Sequence, residues 1–438
     1  MQNCTTFSMI MNQKSFFLER KNCRICSSAI EIINSLGDLA SSGAFPSTTN
    51  EFVPIGPLTL GKCSECGLVQ LCHDFDKKIL YTDQYGYRSG INETMVTHLK
   101  TLAEDVLDKH YKSSKIISQE KLNDSTTLTL VDIGSNDATF LNEINRIAKY
   151  KCKLIGIDPS AEQFMELYEH SGFSLQTELF SVDIANLSLN GKKANIVTSI
   201  AMFYDLENPV KFAADVSQIL DPEGFWVLEQ SYLPLMVKQN AFDTICHEHL
   251  EYYTLNDVLN ICKRVGLRVF DVELNSSNGG SFRLYVSHEG SKTHSVSSNI
   301  LKVLDAEKHI VNDRDSLDNF FTSILQIKEQ CNLKLNQLTS KGLLIHGYGA
   351  STKGNTLLQY FGINKELIPV IAERNSKKFQ KFTPNTHIKI ISEAESRVMR
   401  PDYFFVLPWH FKSSIIKREK LIRIDQKFIF PLPQFELI

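Results

Sequence analysis

Leu128-Thr129-Leu130-Val131-Asp132-Ile133-Gly134-Ser135-Asn136-Asp137-Ala138 passes from a nearly unbroken apolar run into a polar loop opened by one glycine. Such a run suits a strand buried on both faces, as in a parallel sheet. Asn123 to Ser125 breaks the pattern before it, and a helical pattern after the loop leads to a second run, Leu154-Ile155-Gly156-Ile157-Asp158. Strand, helix and strand in that order begin a doubly wound α/β sheet. Working outward, further strands are predicted at Ala194 to Ser199 and Gly224 to Gln230, with a helix from Pro209 to Leu220 between them. Upstream, Met95, Leu99, Leu102, Val106 and Leu107 recur near helical spacing, which predicts an amphipathic helix from Glu93 to about Ser118.

The loop narrows the ligand. Gly134 lets the backbone approach a bound molecule, and Asp158 ends the second strand, where a carboxylate accepts from both ribose hydroxyls in nicotinamide and S-adenosylmethionine sites alike. The dinucleotide pattern needs Gly-x-Gly-x-x-Gly, whereas this loop reads Gly134, Ser135, Asn136, Asp137, Ala138. Asp137 repels a pyrophosphate and suits the ammonium of a methionine moiety. The expectation is a class I methyltransferase core that holds S-adenosylmethionine through Gly134, Asn136, Asp137 and Asp158. Asp183, after a third strand, reads either as a residue facing the adenine or as a solvent-exposed Asp.

Two C-x-x-C pairs precede this core, Cys23-Arg24-Ile25-Cys26 and Cys63-Ser64-Glu65-Cys66. Two knuckles of this kind close four thiolates around one structural Zn2+ and leave no open position for a reacting water. A redox role remains the competing reading, but it needs one pair only and prefers a helix start beside a strand. Tyr81, Tyr85 and Tyr87 follow, and they read equally as a substrate pocket or as a seam between domains.

After the fifth strand, Phe242 to Tyr253 packs His247, Glu248, His249, further carboxylates and Tyr252 into one short segment. His-Glu-His supplies a base near neutral pH, with a neighbour to adjust it or to hold a substrate. It lacks the spacing of the His-Glu-x-x-His zinc helix. Asn278-Gly279-Gly280 then admits a bulky ligand or makes a sharp turn, and Arg283 reads as a diphosphate partner or as an ordinary surface cation. From about Ser298 to Thr339 the chain is polar and helical, a bridge between domains. Beyond it, Gly347-Tyr348-Gly349-Ala350-Ser351-Thr352-Lys353-Gly354 repeats the strand, glycine loop, helix pattern, and predicts a second small α/β domain.

Length and composition agree with several domains: 438 residues at roughly 100 to 200 per domain give two to four. The expected division is a zinc-binding domain over 1–80, a methyltransferase domain over 81–297, and a helical bridge with a Rossmann-like domain over 298–438. A formal charge of -3 gives no reason to expect a nucleic acid polymer as partner. No apolar run reaches the roughly 18 residues of a membrane span, and the start has no basic n-region, so a cytoplasmic monomer or small homo-oligomer with no membrane partner is expected.

Taken together, these residues resemble the sugar C-methyltransferases that act on dTDP-linked 4-keto-deoxyhexoses. The resemblance runs from about Cys23 to Pro433 and rests on the four cysteines with Gly67-Leu68-Val69-Gln70-Leu71, the tyrosine stretch, Val131 to Asp137, Gly156 to Ser160, and Gly347 to Asn355. It implies that His249 takes the proton from C3 of a nucleotide-linked keto sugar, with Glu248 and His247 beside it. It further implies that Tyr81, Tyr85, Tyr87 and Lys353 lie on the substrate side, Lys353 towards phosphate, where the reading of the residues themselves also puts Tyr252, Asn278 and Arg283. Two departures stand out: Cys246 where many members carry tyrosine, and Ala138 where glycine is usual.

Three other readings compete. The same sheet serves an O- or N-methyltransferase; the C-terminal glycine loop serves an oxidoreductase with nicotinamide; or the chain is an inactive zinc-bearing scaffold. Thr352 at the third glycine position weighs against the second, and the retained Asp137, Asp158 and His-Glu-His triplet weigh against the third.

Overall fold

The structure is a computed structural model and describes residues 16–76, 80, 88–117, 127–311 and 314–438. Tyr81, Tyr85 and Tyr87 lie outside the described residues.

The run Leu128–Ile133 forms the predicted strand, buried at all six positions. It sits inside a seven-stranded sheet in the order Leu267–Asn275, Ser281–His288, Leu220–Ser231, Ala194–Ile200, Leu128–Ile133, Cys152–Ile157, Ser174–Gln176. Ser281–His288 runs antiparallel to both its neighbours, and the remaining strands share one direction. That order, with a single reversed strand, is the class I methyltransferase sheet expected from the sequence.

Alternate residues feed opposite faces, as the two-residue period of a strand requires. Leu128 and Leu130 pack under the helices Glu93–Ile117 and Thr139–Ile147, against Leu99, Leu102, Val106 and Phe140. Val131 and Ile133 pack on the other face with Val197, Trp226, Phe212 and Val258. Trp226 is fully buried and satisfies its ring N–H by donating to Ser199 Oγ at 2.9 Å.

The expected bridge is two helices that part company. Asn299–Val311 sends Ile300 and Val303 into the core of the middle domain, while Arg314–Thr339 packs Leu317, Phe321, Ile324 and Leu335 against the C-terminal domain. The C-terminal sheet has the order Lys389–Ser392, Val370–Glu373, Ile345–Tyr348, Tyr403–Val406, Lys427–Phe430, Glu436–Leu437, parallel except for the last strand.

At the N-terminal end, Ile30–Ala40, Ile55–Cys63 and Val69–Leu71 form an antiparallel sheet whose fourth strand, Glu251–Tyr252, comes from the middle domain. Leu71 N–H also donates to Leu250 O at 2.9 Å. The residue between the first two cysteines, Arg24, is buried and reaches into this junction. Its guanidinium donates to Leu71 O at 2.7 Å, His73 O at 3.0 Å and Asp74 Oδ1 at 2.6 Å, and stands 3.6 Å from the buried Glu251 carboxylate. A buried cation is tolerable only when hydrogen-bonded and paired in this way.

This coupling has a measurable consequence. Removing zinc from the full chain with a strong chelator should raise amide hydrogen exchange at Val69–Leu71 and at Leu250–Tyr252, and leave Leu128–Ile133 unchanged. Unaltered exchange at Leu250–Tyr252 would show that the knuckles do not hold that strand.

Candidate functional site

The C-terminal ends of the parallel strands open into a cavity of about 560 Å3, within the size range of small-molecule sites. Gly134, Asn136, Asp158, Asp132, Phe180, Met202, Glu229, Gln230 and Asn278 are among its walls. Gly134 has φ +79, and a Cβ there would stand 2.9 Å from Met202 Cγ, so only glycine leaves this floor open. Asp158 is held by two backbone donors, Asn136 N–H to Oδ2 and Ser160 N–H to Oδ1, each at 2.7 Å. Each oxygen keeps a lone pair to offer a ribose hydroxyl. Asp132, opposite Gly156 and Thr198 in register, accepts from Thr198 Oγ1 at 2.6 Å, and burial raises its pKa to about 7. A glycine floor, a pinned carboxylate at the second strand end and a deep second carboxylate fit the nucleoside and ammonium of S-adenosylmethionine.

Two residues expected at this cofactor stand elsewhere. Asp137 does not line the cavity: its carboxylate accepts from Arg88 Nε at 2.9 Å, Gly90 N–H at 3.0 Å and Thr139 Oγ1 at 2.6 Å, and so ties the loop to residues 88–90. Asp183 lies in the first turn of the helix Val182–Leu189, behind Leu179 and Phe180, which supply the apolar wall in its place. Besides Asp158, the acidic residues on the wall are Asp132, Asp205, Glu207, Asp215 and Glu229, and Glu229 is paired with His98 and Arg283.

The reactive segment divides between two domains. His249 is half-buried, and its Nδ1 lies 2.8 Å from Thr244 O. A carbonyl only accepts, so Nδ1 carries the proton and Nε2 is the bare, basic nitrogen. Burial, reinforced by the charge of Lys353, pushes the imidazole pKa down to about 3. The ring packs on Tyr204 with centroids 4.2 Å apart, behind the cavity-lining segment that includes Met202 and Asp205. Glu248 accepts from Ser42 Oγ at 3.2 Å and keeps Oε1 buried without a hydrogen-bond partner. His247 points the other way. It is fully buried in the N-terminal domain, 3.2 Å from Gly56 O and edge-on to Phe75 at 4.9 Å, so it is a core side chain and not a neighbour of the base.

The expected substrate residues also separate. Tyr252 is buried and donates its hydroxyl to His249 O at 3.1 Å, which positions the loop instead of a ligand. Arg283 is buried on the reversed strand and neutralised by Glu229 at 2.8 Å, Asp105 at 2.7 Å and Glu273 at 3.5 Å, so it has no charge to offer a diphosphate. Asn278, with φ +55, lines the cavity, and its carbonyl accepts from Lys353 Nζ at 2.8 Å. Sequence reading missed Asp132, Gln230, Asp243, Trp409 and His410. Gln230 was within reach as a polar residue closing a buried strand; both its amide atoms are buried at the cavity wall without a partner among the described residues. Trp409 and His410 follow a strand of the other sheet, and no spacing links them to Asp243.

The second glycine loop is closed. A Cβ on Gly349 would stand 2.7 Å from Pro408, Ala350 O accepts from Lys378 Nζ at 2.8 Å, and Glu373 accepts from Ala350 N–H at 2.7 Å. Protein groups thus occupy the places a nicotinamide dinucleotide would take. The four cysteines meet as expected. All their Sγ atoms lie within 4.8 Å of one another, with Cys23 to Cys66 at 3.5 Å and Cys26 to Cys63 at 3.3 Å. Such a group suits tetrahedral Zn2+ held by four thiolates. Among the described residues no helix is long and apolar enough to cross a membrane.

Three domain families match the chain in order: "Putative zinc binding domain" over residues 23–81, "Methyltransferase domain" over 101–272 and "C-methyltransferase C-terminal domain" over 276–433. The C-methyltransferase NovU of Streptomyces niveus is 24% identical over 385 residues, 87% of each chain. Among solved structures, the mitomycin 7-O-methyltransferase MmcR is 12% identical over 49% of this chain and 57% of its own, with a TM-score of 0.33. An S-adenosylmethionine-dependent methyltransferase from Clostridium acetobutylicum is 14% identical over 41% of this chain and 92% of its own, with a TM-score of 0.31.

Two of the three acidic residues expected at the cofactor are separable by calorimetry. Asp158→Ala should weaken S-adenosylmethionine binding by roughly 10-fold or more, the size of lost charge-assisted hydrogen bonds. Asp183→Ala should change it less than about twofold, because that side chain does not reach the cavity. The reverse ranking would refute the placement.

Proposed function

We propose that this chain, an S-adenosylmethionine-dependent methyltransferase with a zinc-binding domain before its catalytic sheet and a C-methyltransferase C-terminal domain after it, methylates a carbon next to the carbonyl of a nucleotide-linked keto sugar. Likeness to the C-methyltransferase NovU supports carbon as the acceptor. The reading is C3 of a dTDP-linked 4-keto-deoxyhexose.

The observation that carries it is the His249 Nδ1–H bond to Thr244 O, which leaves Nε2 as a neutral base on a ring packed against Tyr204, between the cavity-lining Met202 and Asp205. A hydroxyl or amine acceptor is already nucleophilic, whereas a carbon acceptor first needs a proton removed. His249 Nε2 takes that proton, and the C–H pair becomes an enolate delocalised onto the carbonyl oxygen. S-adenosylmethionine supplies the methyl group when bound. Tyr252 and Tyr204 hold the imidazole in place, through the His249 carbonyl and the ring face respectively. Burial keeps the imidazole unprotonated well below neutrality, so the base needs no deprotonation at working pH.

Offering S-adenosylmethionine with a panel of dTDP-linked 4-keto sugars should give a product heavier by one methyl, located on C3 by NMR. His249→Ala should lower turnover by about 100-fold or more while S-adenosylmethionine affinity stays within a few-fold. Because the imidazole pKa lies near 3, turnover should show no acid limb from this residue between about pH 5 and 8. A methyl on oxygen or nitrogen, or full activity in His249→Ala, contradicts the reading.

A further inference from the structure

Lys353 of the C-terminal domain reaches the turn that lines the cofactor cavity. Lys353 lies in the first turn of the helix Thr352–Phe361, beside the segment Phe242–Thr244 that precedes the reactive loop. Its ammonium donates to Asn278 O at 2.8 Å, in the turn that lines the cofactor cavity. That turn is clamped: a Cβ on Gly279 would stand 3.1 Å from the Trp409 ring, and Trp409 Nε1 donates to the buried Asp243 Oδ2 at 2.9 Å. Lys353, Asn278, Trp409 and Asp243 thus lie along one run of contacts between two domains.

We infer that Lys353 is a catalytic residue whose ammonium binds the enolate oxygen formed when His249 deprotonates the carbon next to the substrate carbonyl. The inference rests on the reading of the chain as a carbon methyltransferase, and it departs from the expectation that Lys353 meets phosphate.

Three features favour an oxyanion over a diphosphate. The ammonium has one donor on Asn278 O and two N–H groups left, enough for a single oxygen. Lys353 is half-buried; burial lowers its pKa and the nearby Asp243 carboxyl, itself raised by burial, offsets part of that, so the pocket suits one developing charge better than a group carrying two. Third, the helix that carries Lys353 packs on Phe242–Thr244, whose Thr244 O holds the His249 ring, so base and ammonium are held on one segment and the ammonium's charge reaches the imidazole. In the empty site that charge disfavours the imidazolium and keeps Nε2 bare. During deprotonation the Nε2–H bond forms as the C–H bond breaks, and the electron pair moves through carbon to the carbonyl oxygen. The new anion then lies between imidazolium and ammonium. Lys353 keeps its proton throughout, and His249 later returns its own to water. A preorganised donor at a developing oxyanion contributes roughly 100- to 1,000-fold.

The step is observable without the methyl donor. Full-length protein with its zinc is incubated in D2O with a dTDP-linked 4-keto-6-deoxyhexose, and loss of the proton next to the carbonyl is followed by NMR. Wild type should exchange it, Lys353→Met should be slower by about 100-fold, and Lys353→Arg, which keeps a charge, should recover at least about tenfold over Met. Calorimetry with S-adenosylmethionine selects folded variants, and Lys353→Gln replaces Met if Met fails it. Wild-type exchange in the uncharged variant, or equal loss in the Arg and Met variants, overturns the role of Lys353 alone. No exchange by wild type with any keto sugar overturns the carbon methyltransferase reading and this inference with it.

Discussion

Glu251 and Tyr252 belong to the middle domain yet are hydrogen-bonded as a strand in the sheet of the N-terminal domain, and the position of His249, two residues earlier, depends on that pairing. Arg24 fixes it from beneath, because the guanidinium that leaves the first cysteine knuckle binds the backbone of Leu71 and His73 and faces the Glu251 carboxylate. Burial pushes the Glu251 carboxyl well above the usual carboxylate range, so the guanidinium holds this junction chiefly through the Leu71 and His73 carbonyls and the Asp74 carboxylate. The first cysteine knuckle is thus tied through Arg24 to the backbone two residues from His249.

The C-terminal domain meets the same segment from the other side. Phe242 stacks on Phe361 at 5.2 Å, Trp409 binds Asp243, and Asn355 Nδ2 donates to Ser42 O at 2.7 Å while the Ser42 hydroxyl donates to Glu248. Three domains converge within the twelve residues from Phe242 to Tyr253. This explains why a Rossmann-like domain with a closed glycine loop is present: it holds and completes a site instead of binding a cofactor of its own.

Much of this was legible in the sequence, and the pattern of what was not is physical. Local signals were sufficient for Leu128–Ile133, Gly134 and Asp158, where strand burial and a close backbone approach leave few alternatives. The knuckles were legible because four thiolates have one common use at that spacing. Side-chain direction was not. His247 and His249 are two residues apart, and the chain turns between them so that one enters the core beside Phe75 and the other packs on Tyr204. Asp137 and Arg283 read as ligand contacts because their partners, Arg88 and Glu229, lie far away in sequence. Lys353 was singled out in the sequence, but its setting was not legible, since Asn278, Trp409 and Asp243 are brought near it only by tertiary packing.

Everything chemical in this account requires a neutral imidazole at position 249 with its proton on Nδ1 and Nε2 bare. Nitrogen NMR of the full chain labelled at histidine, with His249 assigned by substitution, observes both properties at once. The account predicts a protonated Nδ1, an unprotonated Nε2 and no titration between about pH 5 and 8. A proton on Nε2, or titration near the ordinary histidine value of about 6.5, would contradict it.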